Sequence, residues 1–143
     1  MLSMEIIKTT IFFLILLYAS VKDIKIREVP DNIPIMICIT ALINNSVNNI
    51  LYMTIGAILI SIPQVVIAAK NPGTYGGADI KIVAACTFYL GLMGGLIIIT
   101  MGLLLLVCFN ITKKSVQKRK GYPLIPFYAL FCILKYILSF ENQ

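Results

Sequence analysis

Two stretches without a single charge decide what this chain can fold into. Residues 32–69 contain no Asp, Glu, Lys or Arg, and neither do residues 82–112. A bilayer-spanning helix needs roughly 20 predominantly apolar residues. Within lipid the backbone must satisfy its own hydrogen bonds, which leaves helices and closed barrels. The strict apolar/polar alternation of a barrel strand is absent. The expected fold is therefore an all-α membrane protein. Composition agrees: 59% of the residues are hydrophobic and 13% charged, against roughly 45–50% and about 25% in soluble domains.

The pattern reads as a bundle of six transmembrane helices, over about 4–21, 33–44, 50–69, 79–92, 94–111 and 122–140. The Asn/Ser cluster Asn44-Asn45-Ser46-Val47-Asn48-Asn49 is a turn signal between the second and third. Gly91-Leu92-Met93-Gly94-Gly95 separates the fourth from the fifth. A single helix over the 31 residues of 82–112 would reach roughly 46 Å, well beyond a hydrocarbon core about 30 Å thick. The second span is short, which fits a tilted or partly interfacial helix. Lys8 followed by apolar 11–18 and Ala19-Ser20 imitates a signal peptide, but the run is read as the first span. The whole of 1–143 is read as one transmembrane domain.

Basic residues give an independent test of this topology. Six spans gather about 22–32, 70–81 and 112–121 on one side, with ten of the twelve basic residues: Lys22, Lys25, Arg27, Lys70, Lys81, Lys113, Lys114, Lys118, Arg119 and Lys120. The other side keeps Lys8 and Lys135. The positive-inside rule then places the basic loops in the cytoplasm and both termini outside, in a multi-pass protein of the plasma (inner) membrane. The net charge of +6 is read as orienting charge that meets anionic membrane lipid, not as a nucleic-acid surface. Cys38, Cys86, Cys108 and Cys132 lie in apolar runs without paired spacing, and the chain has no histidine. No metal site or cofactor is expected, and the thiols are read as small buried hydrophobes.

Only six acidic residues are present: Glu5, Asp23, Glu28, Asp31, Asp79 and Glu141. Asp23 follows the first span and Asp79 opens the fourth, so both emerge on one membrane face. A boundary aspartate is equally at home as a solvated helix end or, at a helix N-terminus, against the macrodipole. Ionisable groups at membrane depth are nevertheless costly and often functional. Gly76-Gly77-Ala78 before Asp79 permits close backbone approach, as of a peptide, or forms a simple loop.

Three segments together resemble the type IV prepilin peptidases, membrane aspartic proteases with a GxGD-type motif. Asp23 with Val29-Pro30-Asp31-Asn32 is similar to the first family motif, an Asp followed by a hydrophobe-Pro-Asn element. Gly76-Gly77-Ala78-Asp79-Ile80-Lys81 is similar to the second. Leu124-Ile125-Pro126-Phe127-Tyr128 resembles the proline-aromatic segment that opens the last helix. Two departures stand out. Ala78 replaces the glycine before the second Asp, where a backbone with positive φ would be strained, and Asp31 is inserted between Pro30 and Asn32. The chain resembles the short, peptidase-only members, such as those of tight-adherence pilus systems.

The resemblance implies that Asp23 and Asp79 are the catalytic pair, with Gly76, Gly77, Ala78, Lys81, Pro30 and Asn32 supporting them. It implies partners, the prepilin or pseudopilin precursors, cut at the cytoplasmic face after a glycine and before an apolar helix. Two close carboxylates share one proton, so one activates water and the other polarises the scissile carbonyl. Lys81 is the candidate to meet an acidic side chain near the start of the mature chain, and Tyr75 is either a substrate contact or an interface anchor. The rival readings are a catalytically degenerate scaffold of a pilus or secretion system, supported by Ala78, and a small ion-transport component. The latter needs polar residues deep in several spans, and Thr54, Ser61 and Gln64 are the few on offer.

Overall fold

The computed structural model describes residues 2–26, 29–70, 76–112 and 125–140. They form five α-helices: α1 Leu2–Ile26, α2 Asn32–Leu42, α3 Val47–Lys70, α4 Gly77–Thr112 and α5 Ile125–Phe140. There is no strand among the described residues. Arg27, Glu28, Tyr75, Lys113 to Lys120, Leu124 and Glu141, all part of the sequence reading, lie outside them.

Among the described residues, three segments are long and apolar enough to cross a membrane: Met4–Ile26, Val47–Lys70 and Gly77–Leu104. Asn32–Leu42 and Ile125–Leu134 are shorter apolar helices. The 11-residue α2 extends only about 16 Å, half of a hydrocarbon core. The outer surface is apolar: Tyr52 is 76% and Leu14 60% exposed, with Ile24, Ile35 and Ile39 similar. A soluble monomer rarely shows contiguous apolar patches on this scale, so this surface faces lipid.

Helix α4 is the centre. Helices α2, α3 and α5 pack against it, and α1 packs on α2 and α5. The shared core includes Phe12, Leu16, Ile37, Ile82, Cys86 and Ile98, with Ile125 and Cys132 from α5. Polar side chains inside the bundle turn back on their own helix, as when Ser20 donates to the Leu16 carbonyl at 2.8 Å and Thr87 to that of Val83 at 2.7 Å. Cys38, Cys86 and Cys132 are free thiols in or beside this core.

The predicted break in the long apolar run falls at Gly91, whose φ of 75° and ψ of 174° interrupt α4. That conformation is essentially open to glycine alone. Beyond it the chain turns back. A Cβ placed on Gly95 would collide with the side chains of Thr87 and Ile60, whereas residues 87 and 95 of a straight helix stand about 12 Å apart. The two halves of α4 therefore run side by side. Gly56 lets α3 close on this turn, since its Cβ would lie 3.2 Å from the Leu92 backbone.

Other expectations shift at their edges. Helix α1 runs to Ile26, so Asp23 belongs to its last turns rather than following it. The α2–α3 turn is tight, with Asn44 at a φ of 58°; asparagine tolerates the left-handed region better than most residues. Pro126 sits in the first turn of α5, where its missing N–H costs nothing.

Candidate active site

The height of each aspartate is set by an aromatic contact in the middle of the bundle. Phe12 of α1 stacks on Tyr89 of α4, with centroids 3.9 Å apart and planes 2° from parallel. The Tyr89 hydroxyl donates to Thr9 Oγ1 at 3.4 Å, and the buried Lys8 lies over the same ring at 5.5 Å. Asp23 lies eleven residues beyond Phe12, and Asp79 ten residues before Tyr89. At about 1.5 Å per residue both come to nearly the same level, roughly 15–17 Å from the stack. The two carboxylates consequently meet at one end of the bundle, within range of each other's charge.

Each carboxylate also sits at the N-terminus of a helix. Asp23 is 7% exposed, and its Oδ2 accepts the N–H of Ile125, the first residue of α5, at 3.3 Å. Asp79 is half-buried and caps its own helix. The Asp79 N–H donates to the Gly76 carbonyl at 3.1 Å, and the Asp79 side chain accepts the Gly76 N–H in return. This is the reciprocal arrangement of a capping box, with the aspartate at the third helical position. Helix-terminal N–H groups lack intrahelical partners and sit at the positive end of the helix dipole. Each aspartate therefore occupies a place built for a carboxylate, and both roles open at the sequence level, helix cap and paired acid, are compatible in one geometry.

The glycine motif resolves by position. A Cβ on Gly76 would lie 2.9 Å from Asp79 Oδ2, whereas one on Gly77 would meet nothing within 4 Å. Ala78 lies in the first turn of α4, half-buried against the core. Among the described residues the positive φ angles belong to Asn44 and Gly91. The strain expected of alanine at position 78 is therefore absent.

The remaining predicted residues lie beside the pair. Pro30 shapes the entry to α2, its carbonyl accepting the Ile33 N–H at 3.1 Å, and the exposed Asn32 begins that helix. Lys81 is already engaged: its Nζ pairs with Asp31 Oδ1 at 2.6 Å, with the side chains 54% and 71% exposed. The two departures from a simple motif thus have structural places, Asp31 as the partner of Lys81 and Ala78 as an ordinary helical residue. Sequence reasoning missed this ion pair, the Ile125 amide and the Phe12–Tyr89 stack. For the amide the only available signal was the proline-aromatic segment, read without a partner.

No group of three or more potential ligands is placed to hold a metal among the described residues. Next to the pair, the chain offers carboxyl groups and helix-terminal amides. Such a set can hold a polarised water and a carbonyl.

No curated protein and no solved structure matches the chain significantly. The type IV leader peptidase family model matches residues 10–138, a span that takes in Asp23, Asp79 and the start of α5. The chain, an all-helical membrane protein, belongs to the type IV leader peptidase family.

Proposed function

We propose that this membrane peptidase is an aspartic endopeptidase that removes the leader from type IV prepilin-like precursors, with Asp23 and Asp79 as its catalytic pair. The observation that carries the reading is the convergence of two carboxylates from α1 and α4, one buried and one half-buried, at one end of an otherwise apolar bundle. Paired acids in such a setting share a proton. The ionised member draws a proton from water while the protonated member hydrogen-bonds the scissile carbonyl. After attack, the proton passes to the leaving amine. The pair titrates as a unit, so the two roles belong to the dyad.

The cluster of basic loops supports a topology of six spans, with the dyad at the cytoplasmic face of the inner membrane. The turn at Gly91 supports the same path, because it returns the chain toward the dyad end. The scaffold reading loses its support, since Ala78 has helical backbone. A transport role finds little support: Thr54 and Ser61 donate to carbonyls of their own helix and Thr54 is exposed on the bundle's outside, which leaves the buried Gln64, whose Nε2 donates to the Ile60 carbonyl at 3.2 Å and whose Oε1 has no partner, as a single polar group rather than a path.

Co-expression with candidate prepilins tests the reading. Wild type removes the leader, seen as a mobility shift and a new N-terminus. Asp23→Asn and Asp79→Asn each abolish removal while the protein still reaches the membrane at normal abundance. Full cleavage by either variant would falsify the dyad.

A further inference from the structure

One charged side chain inside the bundle has no part in the proposed reaction. Lys8 lies within the span Met4–Ile26 and is 7% exposed. A buried ammonium in a membrane protein is costly and calls for a partner. Among the described residues no carboxylate is paired with it, and Glu5, three residues before it, is exposed. Its partner is the ring of Tyr89, 5.5 Å away on α4. The neighbouring Thr9, 6% exposed, accepts the hydroxyl of the same tyrosine at 3.4 Å. Two successive residues of α1 thus hold one side chain of α4, one by its face and one by its tip.

We propose that Lys8 is a positioning residue for the dyad: through Tyr89 it fixes the height and rotation of α1 against α4, and so the spacing of Asp23 and Asp79. This rests on the leader-peptidase function proposed above. The helices that bear the two aspartates do not pack broadly on each other, since α1 lies on α2 and α5. Their relative height therefore depends on the few side chains that bridge them. Apolar contacts alone hold that height loosely, because in lipid no hydrophobic force between helices favours one register over the next. A cation over a ring is directional, and its attraction grows where water is excluded. The helix between this contact and the dyad is stiff. A slip of one residue at Tyr89 would move Asp23 by about 1.5 Å and turn it by about 100°. An aliphatic side chain at position 8 would fill the same place without a buried charge, and replacing buried charges by apolar groups is often neutral or stabilising. The two roles therefore separate: an aliphatic residue favours the fold, and the lysine favours the register.

The test uses the full chain in proteoliposomes. Lys8→Met keeps most of the side chain's length and removes its charge. The expected result is a kcat lower by about 10- to 100-fold with KM within about twofold of wild type, and a thermal midpoint equal to or above that of wild type. Lys8→Arg, whose guanidinium also sits over aromatic rings, should recover most of the loss. In a Tyr89→Leu background, Lys8→Met should bring no further loss, because the two residues act as one contact. A kcat within about twofold of wild type for Lys8→Met, a fall in kcat that follows a lowered midpoint, or additive losses in the double variant overturns the proposal. The spacing is also read without substrate. Asp23→Cys and Asp79→Cys, combined in a background where the four native cysteines are replaced by alanine, should be joined by a short bis-maleimide when Lys8 is present and much less in Lys8→Met; equal joining overturns the proposal. Wild type keeps the two readings apart. If it cleaves no precursor while the cross-link still depends on Lys8, the peptidase reading falls and the spacing role stands. If it cleaves and Lys8→Met changes neither kcat nor the cross-link, the spacing role falls and the peptidase stands.

Discussion

A methyl group at position 76 and one at position 77 are a single step apart in sequence and opposite in consequence. The first would press on Asp79 Oδ2 at 2.9 Å, and the second would meet nothing within 4 Å. Gly76→Ala should therefore displace the carboxylate by tenths of an ångström and weaken its cap, lowering cleavage about 10- to 100-fold. Gly77→Ala should leave cleavage near wild type and stabilise the helix by up to about 1 kcal/mol, because alanine is the better helix former. Ala78→Gly should bring no gain in cleavage and a small loss of thermal stability for the same reason. Initial rates on one precursor, with melting measured in parallel, check all three; a rise in activity on Ala78→Gly would restore the scaffold reading. The motif letters alone do not show this ranking. Charge scarcity narrows the candidates to six acids, and the likeness of the flanking segments to the family motifs singles out Asp23 and Asp79 among them. Which glycine touches a carboxylate depends on where the first helical turn begins. That is fixed by the cap made between residues 76 and 79, and composition is blind to it.

At the scale of elements, the long apolar run of α4 carries the most information. Its length against the bilayer, together with the glycines in it, marks the reversal in the sequence. Gly91 makes the turn with a backbone reserved for glycine, and Gly95 makes room for the returning half against Thr87 and Ile60. Gly91→Ala should cost about 1–3 kcal/mol in backbone strain, and Gly95→Val about 1–3 kcal/mol or more in overpacking. Both should lower the midpoint of thermal unfolding in detergent, followed by dye reaction of Cys86 and Cys132, which are fully buried in the native bundle. A midpoint unchanged in both variants would mean that α4 does not fold back on itself. The short α2 was less legible. Its apolar run is continuous with the Asn-rich turn, and its end is set by the hydrogen bond from the Ile43 N–H to the Thr40 carbonyl at 3.4 Å and the turn at Asn44. The ion pair that ties its start to α4 joins residues fifty positions apart, which no local pattern encodes.

For the molecule as a whole, the consequence of the reversal is a matter of sides. A straight α4 would place the segments before and after it on opposite faces of the membrane. A helix folded at Gly91 returns the chain toward the end it left, so the start of α4 and the start of α5 lie at one end of the bundle, and the proposed topology puts the segments that precede them on one membrane face. The proposed topology makes that side cytoplasmic, from the positive-inside rule, with the apolar exterior of the bundle in lipid. The prediction is read by labelling single cysteines introduced at positions 46, 73 and 116 in a background where the four native cysteines are replaced by alanine, using a membrane-impermeant maleimide on intact cells. Position 46, in the α2–α3 turn, should label directly. Positions 73 and 116 should label only after permeabilisation, and both to the same degree. Opposite behaviour of 73 and 116 would make α4 one continuous span and move the loop before α5 to the far side, and α5 with it. The Ile125 amide could then not reach Asp23, and the end of the bundle where the two aspartates meet would lose its third helix. The sidedness measurement is for that reason also a test of the site. It asks whether the amide that starts α5 and the carboxylate near the end of α1, 102 residues apart in the chain, lie on the same face of the membrane.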